Sequence, residues 1–188
     1  MSGTVELKTE RLLLRRHQRE DALVLHQTFG SDPQMFEFSG WNPYQTETMA
    51  EETIASFIKN YDDPRFYGWG IVHEGRLIGT VGAYDYDAEK SWIEVGMSIE
   101  RASWGHGFAT EALACVLHYL TEREDIRTVS AWCASENIGS RKVMQKSGME
   151  MVRTEAGALE VNGEIYDKLI FEYKYSRLFD VCEKSKDS

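Results

Sequence analysis

Arg101-Ala102-Ser103-Trp104-Gly105-His106-Gly107-Phe108-Ala109-Thr110-Glu111-Ala112 is the stretch whose reading decides the fold. It follows an apolar run, Trp92 to Ile99, that reads as a strand, and it leads into a helix-like run through Leu120. Its two glycines, Gly105 and Gly107, sit where strand gives way to helix. Glycine takes backbone dihedrals that other residues resist, and it lets a ligand come close to the chain. A helix that opens there has amide N–H groups with no partner inside the helix. With the positive end of the helix dipole they form a seat for a phosphate or pyrophosphate. The stretch therefore reads as a loop that holds the diphosphate of a nucleotide-containing cofactor through the backbone from Gly105 to Thr110.

Two common nucleotide loops do not fit. The dinucleotide fingerprint needs a third glycine, and this chain has Thr110 there. The Walker pattern needs Gly-Lys-Ser/Thr, which is absent. Trp104-Gly105-His106-Gly107-Phe108-Ala109-Thr110-Glu111-Ala112 instead resembles the acetyl-CoA pyrophosphate loop of the GNAT superfamily of N-acetyltransferases. Its wording is similar to the branch that contains the ribosomal-protein N-terminal acetyltransferases of the RimJ and RimL type. Asn137-Ile138-Gly139-Ser140-Arg141-Lys142-Val143-Met144-Gln145-Lys146-Ser147-Gly148-Met149 resembles that branch's second motif. The two motifs come in the family's order, and the resemblance runs from about Leu7 to Tyr175. One place departs from it: the superfamily loop usually opens with Gln or Arg, and here that place is Trp104.

The resemblance implies an α/β (α+β) fold, a twisted mixed sheet of about seven strands with helices on both faces. The strands Trp92–Ile99 and Thr128–Cys133 are expected to splay, with acyl-CoA entering the V between them. It implies an acetyl-CoA-dependent N-acetyltransferase, with acetyl-CoA as co-substrate and no metal. The backbone at Met97, Ser98 and Ile99 is expected to pair with the pantetheine arm, and the Met97 amide to donate to the thioester carbonyl, an oxyanion-hole role. Asn137 is expected to cap its helix and to hydrogen-bond the pantetheine amide. His106 adds a side-chain contact to the cofactor or is a solvent-exposed loop residue. Arg141, with Lys142, meets the nucleotide's phosphates or is an ordinary surface cation.

Acetyl transfer to an amine also needs the amine neutral and the thiolate protonated as it leaves. Amines are mostly protonated at neutral pH. Glu94 lies between apolar neighbours in Trp-Ile-Glu-Val-Gly-Met. A carboxylate among apolar groups has its pKa raised, which suits a general base acting directly or through water. Strand alternation offers the other reading, in which Glu94 points outward. For the leaving thiolate the candidate is Ser140, near where the cofactor sulfur is expected. Many superfamily members use Tyr; the competing role for Ser140 is to cap backbone at the helix start.

The 188 residues suit one domain, with a polar tail from about residue 180. A net charge of −10 argues against broad nucleic-acid binding, which needs a basic face. It would draw a cationic amine, or it serves solubility alone. The three cysteines, Cys115, Cys133 and Cys182, are odd in number and far apart, so no disulfide framework or zinc site is expected. The five histidines have no metal-ligand spacing. No signal peptide, and no apolar run long enough to cross a membrane, is read, and a cytoplasmic protein, monomer or homodimer, is expected.

In chain order, Glu6–Arg15 reads as a strand and Glu20–Phe29 as a helix. Ser31–Tyr44 is mixed and aromatic. Thr46 reads as the N-cap of a helix ending near Tyr61, stopped by Asp62-Asp63-Pro64. Tyr67–Val72 and Leu77–Tyr84 flank the connection His73-Glu74-Gly75-Arg76, and Asp85–Lys90 is a polar turn. Met149–Ala156 and Ile165–Tyr175 form a last hairpin, with Asn162-Gly163 as a type I′ turn. The resemblance implies that the acceptor is a primary amine, either a protein N-terminus or a small molecule. The Ser31–Tyr44 and Asp85–Lys90 segments, with Tyr84 and Tyr86, are the candidates to read it; core packing competes for Phe36 and Phe38. A non-catalytic acyl-CoA-binding module is the alternative from another class. A Rossmann-type domain fits poorly without the third glycine.

Overall fold

Alternation along the strands sorts apolar side chains into two layers. In β2 (Leu12–Arg15), Leu12 and Leu14 join one buried cluster and Leu13 packs against the other. In β3 (Tyr67–His73), Ile71 and Val72 divide the same way, as do Ile78 and Leu77 of β4 (Arg76–Asp87). A sheet apolar on both faces must be covered on both. The computed structural model, which describes residues 1–174, meets that demand. Helix α3 (Phe108–Glu122) covers one face through Leu113, Val116, Leu117 and Leu120. Helices α1 (Asp21–Leu25) and α2 (Glu47–Asn60) cover the other through Ala22, Leu25, Ala50 and Ile54. Cys182, Tyr175 and the polar tail lie outside the described residues.

Among the described residues the sheet has eight strands, in the order β1-β2-β3-β4-β5-β6-β8-β7. Here β1 is Leu7–Lys8, β5 Trp92–Ile99, β6 Thr128–Ala134, β7 Glu150–Val161 and β8 Glu164–Lys174. Among the described residues β5 and β6 are the one parallel pair. Helix α3 makes the crossover between them, and α4 (Ile138–Lys146) follows β6.

Eight strands, rather than about seven, arise because Glu6–Arg15 does not run straight. Thr9 closes a turn there: its N–H reaches the Leu12 carbonyl at 3.0 Å, and its hydroxyl accepts from the Leu12 N–H at 2.9 Å. The first helix is also shorter than expected. After Leu25 the chain loosens into one π-helical stretch, His26–Gly30. The connection at His73–Arg76 narrows to Glu74-Gly75, with φ of 49° and 79°. Strand β4 reaches Asp87, so only the end of Asp85–Lys90 is turn. Strand β7 extends to Val161, where Asn162 and Gly163, φ 53° and 83°, make the expected I′ hairpin. Thr46 caps α2, its side chain accepting from the Met49 N–H at 3.1 Å.

Candidate functional site

The parallel pair is brief. β5 and β6 are in register at Trp92↔Thr128, Ile93↔Val129 and Glu94↔Ser130, and there the ladder ends. Both strands continue, β5 to Ile99 and β6 to Ala134. From Val95 onward the edge of β5 that faced β6 has no strand beside it among the described residues, while its other edge stays paired to β4 through Gly79↔Ile99. Backbone polar groups within a sheet require partners, so an extended ligand fits in the fork as an added strand. Met97 and Ser98 lie half-buried on this open edge, and the side chain of Ile99 is buried.

The glycine loop stands at the mouth of the fork. Gly105 and Gly107 have φ of 77° and 81°, the left-handed region that glycine reaches without strain. A side chain on Gly105 would meet nothing within 4 Å, and one on Gly107 would meet only Arg11 Nη2 at 3.5 Å. Gly107 is the N-cap of α3 and offers no capping side chain. The first-turn amides of Phe108, Ala109 and Thr110 therefore have none from their own cap. Trp104 is half exposed, and its indole N–H donates to the Ile99 carbonyl at 2.7 Å. The residue that departs from the family wording thus ties the loop to the end of β5.

A second brace was not legible in the sequence. Arg11, on the way into β2, donates to the His106 carbonyl at 2.9 Å and to Glu111 at 2.7 Å, and lies over the Phe108 ring at 4.6 Å. Burial pushes the Glu111 carboxyl up, but hydrogen bonds from Thr9 and Arg11 outweigh it and hold it below its ordinary value. The exposed His106 ring stacks on Phe108 at 5.7 Å.

Glu94 does not sit among apolar groups. Its neighbours Ile93 and Val95 face the α3 layer, and alternation turns Glu94 to the other face at the last rung of the fork. There its carboxylate accepts from Trp132 Nε1 at 2.9 Å. Tyr84 is its cross-strand partner on β4, with the hydroxyl beside the carboxylate. Burial first, and the Glu94 charge next, push that hydroxyl's pKa up. Glycine at position 96 leaves the room: a side chain there would lie 2.9 Å from the Tyr84 oxygen. Tyr86 does not join this group and packs in the α3 layer.

Past the end of β6, Asn137 caps α4, its Oδ1 accepting from the Ser140 N–H at 3.0 Å. That leaves the Asn137 amide hydrogens for other partners and corrects the capping alternative for Ser140. The half-buried Ser140 hydroxyl makes no hydrogen bond among the described residues. Ser140 and Glu94 make no contact with each other among the described residues: Ser140 stands on α4 past the end of β6, and Glu94 on β5 at the rung where the ladder ends. Arg141 is half-buried beside Cys133. Burial pushes the Cys133 thiol up to about 11, against a smaller opposing effect of Arg141, so no reactive thiolate lines this side.

The aromatic segment divides. Tyr44 is buried in the α1–α2 layer with Phe36 against it, Phe38 meets Tyr166 edge to face at 5.6 Å, and Trp41 is 67% exposed. Tyr44 lies against Thr80, which heads a buried polar chain. Thr80 Oγ1 is 3.1 Å from His17 Nε2, His17 Nδ1 is 3.2 Å from Asp21, and Asp21 takes two hydrogen bonds from Arg15 at 2.8 and 2.9 Å. Thr80 is paired with Ser98 across β4 and β5, so this chain braces the strand that forms one arm of the fork.

Known proteins are similar to this chain in sequence and in fold. Residues 11–150 match the family described as the acetyltransferase (GNAT) domain. An uncharacterized N-acetyltransferase of Bacillus subtilis, YoaA, is 26% identical over 88% of this chain and 94% of its own. The structure of RimL, a ribosomal alpha-N-protein acetyltransferase in complex with coenzyme A, superposes with a TM-score of 0.82 at 16% identity, over 90% of this chain and 98% of that one. The microcin self-immunity acetyltransferase MccE, in complex with acetyl-CoA and AMP, gives 0.80 at 16% identity, over 89% and 94%. A family match over most of the length, joined to a sheet forked where β5 and β6 part, makes this chain a member of the GNAT family and an acetyl-CoA-dependent N-acetyltransferase.

Proposed function

We propose that the fork between β5 and β6 takes the pantetheine arm of acetyl-CoA, and that transfer to a primary amine is direct, within a ternary complex. The observation that carries this is the ladder that stops at Glu94↔Ser130 and leaves the 95–99 edge of β5 open. The donor supplies an activated thioester; the chain's own groups do the rest. Amides of Gly105 to Thr110, at the start of a 15-residue helix, receive the pyrophosphate. The Met97 amide donates to the carbonyl oxygen, and the free hydrogens of Asn137 meet the arm. Arg141, with the loop residues Trp104 and His106, borders the nucleotide end.

Glu94 accepts the proton that the amine must lose, directly or through a water. The amine nitrogen then bonds to the acyl carbon as the carbon–sulfur bond breaks, and the second proton that the nitrogen sheds passes to solvent. Ser140, with no duty to the fold, donates its hydroxyl proton to the departing thiolate and regains one from solvent. The buried, high-pKa Cys133 supports direct transfer over an acyl-cysteine route.

The test is thiol release from acetyl-CoA against a panel of free amines and short peptides, with wild type, Glu94→Gln and Ser140→Ala side by side. Release with wild type, slowed in both variants, supports the assignment. Full activity in both variants removes those roles. Binding of acetyl-CoA with no release to any amine would point to a non-catalytic acyl-CoA-binding module.

A further inference from the structure

The floor beside Glu94 carries a second charge of opposite sign. Lys168 of β8 places its Nζ 4.7 Å from the centroid of the Trp132 ring, the same indole whose N–H binds Glu94. Three basic side chains, Arg15, Arg141 and Lys168, are half-buried among the described residues. Arg15 is matched by Asp21. Lys168 has no carboxylate partner among the described residues, although its neighbours offer two. Glu155, its cross-strand partner on β7, is engaged by Arg153 at 2.8 Å, and Glu172, further along β8, by Lys174 at 3.1 Å. In a chain of net charge −10, a half-buried cation left with only an aromatic face beside it is a site in want of an anion.

Both charges are anchored on one indole, so the carboxylate of Glu94 and the ammonium of Lys168 lie within about 10 Å of each other. A ligand that hydrogen-bonds to both, at about 3 Å each, must bear a cationic and an anionic group separated by only a few bonds. We propose that the acceptor is such a molecule: its amine goes to Glu94, and a carboxylate close to that amine goes to Lys168. The carboxylate is the α-carboxylate of a free amino acid or the side chain of an acidic residue at a peptide N-terminus. Lys168 is then the residue that selects the acceptor. This rests on the reading of Glu94 as the group that meets the amine.

Matched acceptors test it: free amino acids against their amides, and N-terminal peptides with Asp against Asn in the first two positions. Thiol release with acetyl-CoA gives kcat/KM for each member. The expected wild-type ratio, carboxylate over amide, is about tenfold or more in one arm of the panel. Preference in the amino-acid arm identifies a free amino acid, and preference in the peptide arm an acidic N-terminus. Lys168→Met keeps the alkyl stem on Trp132 and removes the charge; the ratio falls to about one. Lys168→Arg keeps most of the ratio, and Lys168→Glu inverts it. Thermal unfolding and acetyl-CoA titration verify that each variant is folded. A wild-type ratio of one or less, a ratio unchanged in Lys168→Met, or no transfer to any member overturns the proposal. Loss of the Glu94 reading is seen separately, as full activity in Glu94→Gln, whatever the ratio.

Discussion

Trp132 donates its indole N–H to the Glu94 carboxylate at 2.9 Å, joining the two strands just where their own ladder has ended. The bond aims the carboxylate from outside its own strand. Replacing Glu94 with Gln keeps an acceptor for the indole but cannot take a proton. The expected loss in kcat is about a hundredfold or more, with acetyl-CoA affinity little changed. Trp132→Phe keeps the proposed base and loses its guide, and a loss near tenfold is expected. Steady-state kinetics with isothermal titration of the donor separate the two. Equal kinetics in wild type and Glu94→Gln would remove the carboxylate from the mechanism.

Gly107→Ala forces a side chain into a left-handed dihedral at the cap of α3, with a strain of about 1–2 kcal/mol. The chain relieves it by moving the amides that would receive the pyrophosphate, so acetyl-CoA affinity is expected to fall about tenfold. Gly75→Ala is the control. Its φ of 79° carries the same strain, and a side chain there meets nothing within 4 Å, but it lies in the β3–β4 turn. It should lower Tm similarly and leave acetyl-CoA titration unchanged. Equal affinity losses in the two variants would mean that strain alone, and not the loop, governs binding.

What the sequence disclosed was local. Asn162-Gly163 and Thr46 each act within a few residues and are found as read, and at Ile93-Glu94-Val95 it is the alternation reading, not the apolar surroundings, that the structure has. The glycine loop and the Asn137 motif were legible because their neighbours in the chain are also their neighbours in space. The surroundings of Glu94 were not. Sequence neighbours of a strand residue face away from it, and the groups that do meet it, Trp132 and Tyr84, come from other strands. Arg11 at the loop and the Arg15–Asp21–His17–Thr80 chain are likewise products of tertiary pairing, with no spacing to betray them. The turn at Thr9 was hidden for a different reason: it uses neither glycine nor proline.

Asp21 is buried, which alone would raise its pKa. Hydrogen bonds from Arg15 and His17, and from the Gln18 N–H, overcome that and hold the carboxyl well below its ordinary value of 3.8. A carboxylate with a depressed folded-state pKa stabilises the fold above its unfolded pKa, and that contribution drains as pH falls below it. Stability should therefore decline below pH 3.8, with a share from this one group of up to about 1.4 kcal/mol per pH unit. Asp21→Asn should lose about 3 kcal/mol at neutral pH, because Arg15 is left unmatched, and should show a shallower acid limb. Urea midpoints from about pH 2 to 7 give both. Parallel acid limbs in the two proteins would show that Asp21 is not the titrating group.

Asn137 and Ser140 are three residues apart and joined by one hydrogen bond, yet their duties divide cleanly. The Asn137 oxygen caps a nine-residue helix. Asn137→Ala is expected to cost about 1 kcal/mol of stability and, by withdrawing its amide hydrogens from the donor, to raise the KM for acetyl-CoA. The Ser140 hydroxyl binds nothing in the described fold, so Ser140→Ala should leave stability within about 0.5 kcal/mol of wild type. Its cost falls on kcat, by about tenfold or more if the hydroxyl supplies the leaving thiolate with its proton. Acceptors and donors vary the demand: a thioester whose thiolate leaves more easily needs less help, and the Ser140→Ala defect should shrink with it. Denaturation and kinetics on the two variants, with acetyl-CoA and a more activated thioester, decide the point. A defect of the same size with both donors would make Ser140 a packing residue and return the proton to water.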